Sequence, residues 1–105
     1  MKLLKAYLHQ IRAPGVVQAL TEAGFRRISL AHVKGTLPPL FAKEHDYSID
    51  TGALFIAEVQ LELVCEDTEA AAAGAIIGEA GRLGVKHSGW LYVSALEQAI
   101  PIGNP

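Results

Sequence analysis

"IAEVQLELVC", residues 56–65, alternates without a break: Ala57, Val59, Leu61, Leu63 and Cys65 point one way, and Glu58, Gln60, Glu62 and Val64 the other. Period-two alternation of this kind predicts a strand with one face packed on an apolar layer and the other face open. The neighbours follow from it. Upstream, "KLLKAYLH" (2–9) sets Leu4, Ala6 and Leu8 against Lys5, Tyr7 and His9, and "RRISLAHVK" (26–34) alternates again. Downstream, "GWLYVS" (89–94) reads as a fourth strand.

The stretches between these strands have helical spacing instead. "APGVVQALTEAG" (13–24) places Val16, Val17, Leu20 and Ala23 on one stripe, with Pro14 in the first turn and Gly24 as the stop. "EDTEAAAAGAIIGEAGRLG" (66–84) opens on acidic residues and carries Arg82 near its end, so it predicts a helix that closes at Gly84. Gly74 and Gly78 inside it point to close packing by a neighbour. Ser94 and Glu97 stand at capping-box spacing in "SALEQA" (94–99) and predict a last helical turn. The order β-α-β-β-α-β is the ferredoxin-like α+β plan, a single domain over residues 1–105 with two helices on one face of an antiparallel sheet.

Composition narrows the functional classes. Half of the 105 residues are apolar, enough for a real core, and the net charge of −2 offers no basic face for nucleic acid. The lone cysteine, Cys65, cannot form an internal disulfide, and the opening "MKLLKAYLHQIR" lacks the unbroken apolar stretch of a signal peptide. No run reaches the roughly 18 apolar residues that span a bilayer, so the expectation is a cytoplasmic protein with no direct membrane insertion. Cys65 on the apolar strand face reads as an inert core thiol, and no nucleophile motif such as G-x-S-x-G occurs; an enzyme is not expected.

The anomaly is the connection between strands two and three. Ordinary connections run about four to six residues, yet here about twenty intervene, residues 36–55. They mix Pro38, Pro39, Phe41 and Phe55 with Lys43, Glu44, His45, Asp46 and Asp50. Long loops of this kind in compact domains are usually functional. Turn formers and charges from 37 to 54 predict a segment that is poorly ordered until a ligand selects one conformation.

This order of elements, with a long insert after strand two, resembles the PII family of signal-transduction proteins. "MKLLKAYLHQIR" resembles the family's opening strand, "HVKG" (32–35) its strand-two ending, and "VQLELVCEDTE" (59–69) its third strand; the pattern can be laid over residues 1–103 without a gap. The resemblance implies a non-enzymatic homotrimer that binds an adenine nucleotide in clefts between subunits. It also implies that the insert, the T-loop, meets a target transporter or enzyme. The open sheet face, with Tyr7, Ser29, Glu58, Gln60 and Glu62, has no covering layer in a chain this short and agrees with assembly.

By resemblance, the adenine pocket falls at Tyr7, Ser29, Gly35, Glu62 and Val64. The phosphate cradle falls in "RLGVKHSGW" (82–90), at Arg82, Gly84, Lys86, His87, Ser88 and Gly89. Departures from the family pattern are informative. Trp90 stands where the family has a lysine, and Pro101 and Gly103 stand where it has arginines, so three cations for the distal phosphates are missing, with only Arg12, Arg82 and Lys86 to compensate. AMP, ADP or cyclic AMP is therefore expected rather than ATP, as a regulatory ligand and not a cofactor, with bicarbonate as a candidate second ligand. Pro39 and Glu58 replace the family's glutamine and lysine for 2-oxoglutarate, and Thr51 replaces the modified tyrosine, although Tyr47 is near. The alternative is a metal-responsive PII-like sensor that takes a divalent cation on the loop at Glu44, His45, Asp46 and Asp50, with His32 and His87 near a subunit cleft; no paired metal-ligand spacing supports it.

Overall fold

A computed structural model of the chain describes residues 1–37, 46–48, 53–84 and 88–103. β1 (Lys2–His9) leads through a 3-10 turn (Gln10–Arg12) into α1 (Ala13–Glu22). β2 (Ile28–Gly35), a short β3 (Asp46–Ser48) and the long β4 (Ala53–Cys65) come next. A second 3-10 turn (Asp67–Glu69) then enters α2 (Ala70–Ala80), and β5 (Gly89–Ala95) completes the described elements. The main sheet runs β2-β4-β1-β5, and each neighbouring pair is antiparallel. Four strands and two helices in this order form an α+β fold compatible with the ferredoxin-like plan.

Local chemistry starts and stops the helices where the sequence asks. His9 Nδ1 accepts the Ile11 N–H at 3.3 Å and so turns the chain out of β1. Proline occupies the first turn of α1, and Gly24, at φ +97°, ends it in the left-handed region that favours glycine. Glu66 and Glu69 form a reciprocal capping box ahead of α2, with the Glu66 N–H donating to Glu69 Oε1 at 3.1 Å.

The apolar row of β4 packs as its alternation predicts. Leu61, Leu63 and Cys65 join Leu4, Ala6 and Leu8 of β1, Val16 and Leu20 of α1, and Ala73 and Ile77 of α2 in one core, none more than 5% exposed. Each fully buried leucine removes enough apolar surface to contribute roughly 1.5–3 kcal/mol. Gly74 faces the sheet closely, since a Cβ there would meet Leu91 Cδ2 at 3.3 Å, whereas a Cβ on Gly78 would meet nothing within 4 Å.

Three expectations are corrected. α2 closes at Gly81 rather than Gly84: a Cβ at 81 would stand 2.9 Å from the Ile77 carbonyl and 3.0 Å from Leu8 Cδ2, so the small residue is needed where the helix end meets β1. No helical turn forms at 94–99. Ser94 and Ala95 are spent in the ladder opposite Leu3 and Lys2, and the Leu96 N–H donates to the Met1 carbonyl at 3.1 Å, which keeps the chain extended. Finally, the insert is not wholly without regular structure. β3 pairs with the start of β4, Asp46 opposite Phe55 and Ser48 opposite Ala53, so the third core strand begins at 53 rather than 56. A three-residue pairing is too short to reveal a period. The rest of the segment expected to be poorly ordered, 38–45 and 49–52, lies outside the described residues. Among the described residues no helix is long and apolar enough to cross a membrane.

Candidate functional site

The register sorts the open face into rows. Ala31, Gln60, Tyr7 and Trp90 form one, Ser29, Glu62, Lys5 and Tyr92 the next, and Val33, Glu58 and His9 a third toward the end of β2. Among the described residues no helix covers these rows, and Trp90 and Tyr92 remain about half exposed. Tyr7 and Tyr92 meet edge to face with ring centroids 6.0 Å apart, an arrangement the aromatic quadrupole favours.

Between these aromatics and the chain leaving β2 lies a cleft of about 420 Å³, within the usual size range of small-molecule sites. Residues 33–37 wall it on one side and Trp90 and Tyr92 on the other, with Tyr7 and Glu58 also lining it. Its position follows from the topology, since the cleft sits where β2 gives way to the long insert.

Glu58 anchors that junction. Although it belongs to the open face it is only 3% exposed. Its Oε2 accepts the Leu37 N–H at 2.9 Å, and its carboxylate lies so flat on Gly35 that a Cβ at 35 would stand 2.0 Å from it. Leu37 and Ile56 are buried beside this junction, outside the main core cluster. Gly35 is thus demanded by packing as well as open to a ligand.

Of the expected adenine set, Tyr7 and Gly35 line the cleft. Ser29 and Glu62 are direct cross-strand partners on the same face, and Glu62 pairs with Lys5 at 3.9 Å, both side chains more than a third exposed. Val64 lies farther down β4, opposite Leu3, and is not among the cleft's lining residues. Sequence reasoning missed Glu58, Trp90 and Tyr92 as members of one cleft. The signal was present in the alternation, because these residues and Tyr7 occupy the same face.

The expected phosphate set gathers elsewhere. Arg82, Ser88 and Gly89 line a smaller hollow of about 260 Å³ at the end of α2, with Gly84 exposed in the turn beyond. Arg82 is paired with Glu79 on the exposed helix end. The Ser88 hydroxyl accepts the Leu83 N–H at 2.8 Å and closes the turn. Gly89 has a packing role of its own: a Cβ there would lie 2.3 Å from the Tyr7 carbonyl oxygen. Lys86 and His87 lie outside the described residues. β2 and β5 are opposite edges of the main sheet, so at least three strand spacings, about 14 Å across the sheet, lie between Ser29 and the glycine turn within one chain.

Cys65 is buried, and desolvation, followed by the charges of Glu69 and Glu66, pushes its thiol above the ordinary value. That environment suits a core thiol and not a nucleophile. Glu44, His45 and Asp50 of the metal alternative lie outside the described residues, as does the Asp46 side chain. His32 is exposed on the helix-side face of β2, opposite Val59 and away from the cleft. Among the described residues no group of three or more metal-ligating side chains occurs. No protein-family model matches the sequence, and no curated protein matches it either.

Proposed function

We propose that this chain is a non-enzymatic, PII-like regulatory protein that binds an adenine nucleotide with fewer than three phosphates and signals through its long insert to a transporter or enzyme. The observation that carries the reading is the position of the 420 Å³ cleft, walled by aromatics and placed against residues 33–37 where the insert begins. Aromatic side chains suit a planar base, since stacking contributes roughly 1–3 kcal/mol per base in nucleotide-binding proteins. A ligand held there touches the root of the insert and biases its conformations.

The separation of Ser29 from the glycine turn by the width of the sheet supports a site shared between copies, in which one subunit's β2 edge meets its neighbour's open face. A homotrimer is the assembly proposed. Trp90, Pro101 and Gly103 supply no charge for distal phosphates, which favours AMP, ADP or cyclic AMP over ATP. Losing even two charge-assisted bonds of about 1.5 kcal/mol each weakens ATP binding more than a hundredfold. Calorimetric titration with the four nucleotides, each with and without bicarbonate and 2-oxoglutarate, tests the reading. Tight ATP binding strengthened by 2-oxoglutarate, or no nucleotide binding at all, defeats it.

A further inference from the structure

Glu58 is the least solvated acidic residue of the open face, and it lines the cleft from below. An ionised carboxylate is acceptor-only, with about four lone-pair sites. The Leu37 N–H takes one of them, on Oε2. A buried carboxylate gains from every additional donor it can hold, because the charge has lost most of its water. The walls above it, Trp90 and Tyr92, are flat and apolar. The cleft therefore asks for a planar ring that carries an N–H donor on its edge.

We infer that Glu58 reads the adenine base by accepting its exocyclic amino group, while the aromatic wall holds the ring and the same carboxylate keeps hold of Leu37. This rests on the adenine-nucleotide reading of the cleft and adds to it both the discriminating residue and a path to the insert. Glu62, which the resemblance assigned to the ring edge, is half-exposed and faces Lys5, so it has less need of a ligand's donor. A donor on Glu58 fixes the carboxylate over Gly35 and so holds the acceptor of the Leu37 N–H in place, and occupancy of the cleft is felt at the first residues of the insert.

The test compares AMP with the 5′-monophosphate of purine riboside, which is AMP without the amino group. Wild-type protein binds AMP about tenfold or more tighter, since a site built around a buried acceptor rejects the analogue that leaves it unmatched. Glu58→Gln removes the preference: its one amide oxygen stays with the Leu37 N–H, and the NH2 group then faces the base as donor against donor. A second measurement needs no variant. AMP slows hydrogen exchange of the Leu37 amide in the wild-type protein, and the purine riboside monophosphate slows it less. If AMP binds but Leu37 exchange stays unchanged, or if Glu58→Gln keeps the full preference, Glu58 is not the reader, while the adenine site itself stands. If neither nucleotide binds, the reading of the cleft and the inference fall together.

Discussion

The two faces of the sheet are made by the same four strands, residue by residue in alternation, and yet they do different work. On the helix side, Leu4, Ala6, Leu8, Leu61, Leu63 and Cys65 form a surface no more than 5% exposed. On the open side, the interleaved residues are Lys5, Tyr7, Gln60, Glu62, Trp90 and Tyr92, a mixture that no second layer among the described residues covers. The difference teaches that stability is concentrated on one face, which leaves the other free to carry a cleft. At the end of β2 the open face acquires buried groups, Glu58 and its cross-strand neighbour His9, and that is where the insert starts.

The strongest way to break this comparison is to truncate one side chain on each face. Leu61→Ala, at a fully buried position, is expected to cost about 2–5 kcal/mol. Tyr92→Ala, about half exposed, is expected to cost under about 1 kcal/mol in the isolated subunit, with any larger loss dependent on protein concentration because it arises between copies. Urea melts at two concentrations read both. Equal, concentration-independent losses would mean that the open face is structural after all.

A smaller effect is expected at the junction. Gly35→Ala forces a methyl group into the Glu58 carboxylate and is expected to cost about 1–3 kcal/mol, as overpacking does. The clash has a specific partner, so the double variant Gly35→Ala/Glu58→Ala should lose less than the sum of the two single variants. Additive losses measured by denaturation would place the strain somewhere other than this pair.

Much of this fold was legible because β1 and β4 announce themselves by alternation, and α1 by Pro14 and Gly24 at its ends. What escaped had physical causes that no local pattern carries. Ser94 and Glu97 satisfy a capping-box spacing, but the edge of β1 offers backbone partners at Leu3 and Lys2 that extend the strand instead. β3 depends on a partner segment and not on its own three residues. At the site, Tyr7 and Gly35, which only the family resemblance placed in a pocket, line the cleft, whereas the burial of Glu58 depends on the path of residues 35–37 after β2, which sequence spacing does not encode.

Trp90 lets the comparison be sharpened through binding. Because it stands half exposed in the cleft wall, Trp90→Ala is expected to leave stability within about 0.5 kcal/mol. The same change should weaken AMP by about 1–3 kcal/mol through lost stacking. Trp90→Lys is expected to lose the same stacking and, on the proposed reading, to narrow the gap between AMP and ATP, since it places a cation at the cleft wall. Calorimetry on the two variants separates the effects: a stability loss as large as the affinity loss would assign Trp90 to the fold rather than to a ligand.

The smallest expected effect concerns the other carboxylate of the same strand and face. Glu62 lies four residues beyond Glu58 on β4, 3.9 Å from Lys5, with both partners more than a third exposed. A pair so open to water gains little from its Coulomb attraction and gives up side-chain freedom to form, so Glu62→Gln is expected to change stability by less than about 0.5 kcal/mol. AMP affinity should change as little if, as proposed, the base's amino group is matched by the less hydrated carboxylate at 58. The two substitutions Glu58→Gln and Glu62→Gln alter charge equally on one face of one strand and differ chiefly in burial. A tenfold loss of AMP affinity in Glu62→Gln, with none in Glu58→Gln, would return the reading of the purine edge to Glu62 and move the bound base two rows down the sheet, to the row of Ser29.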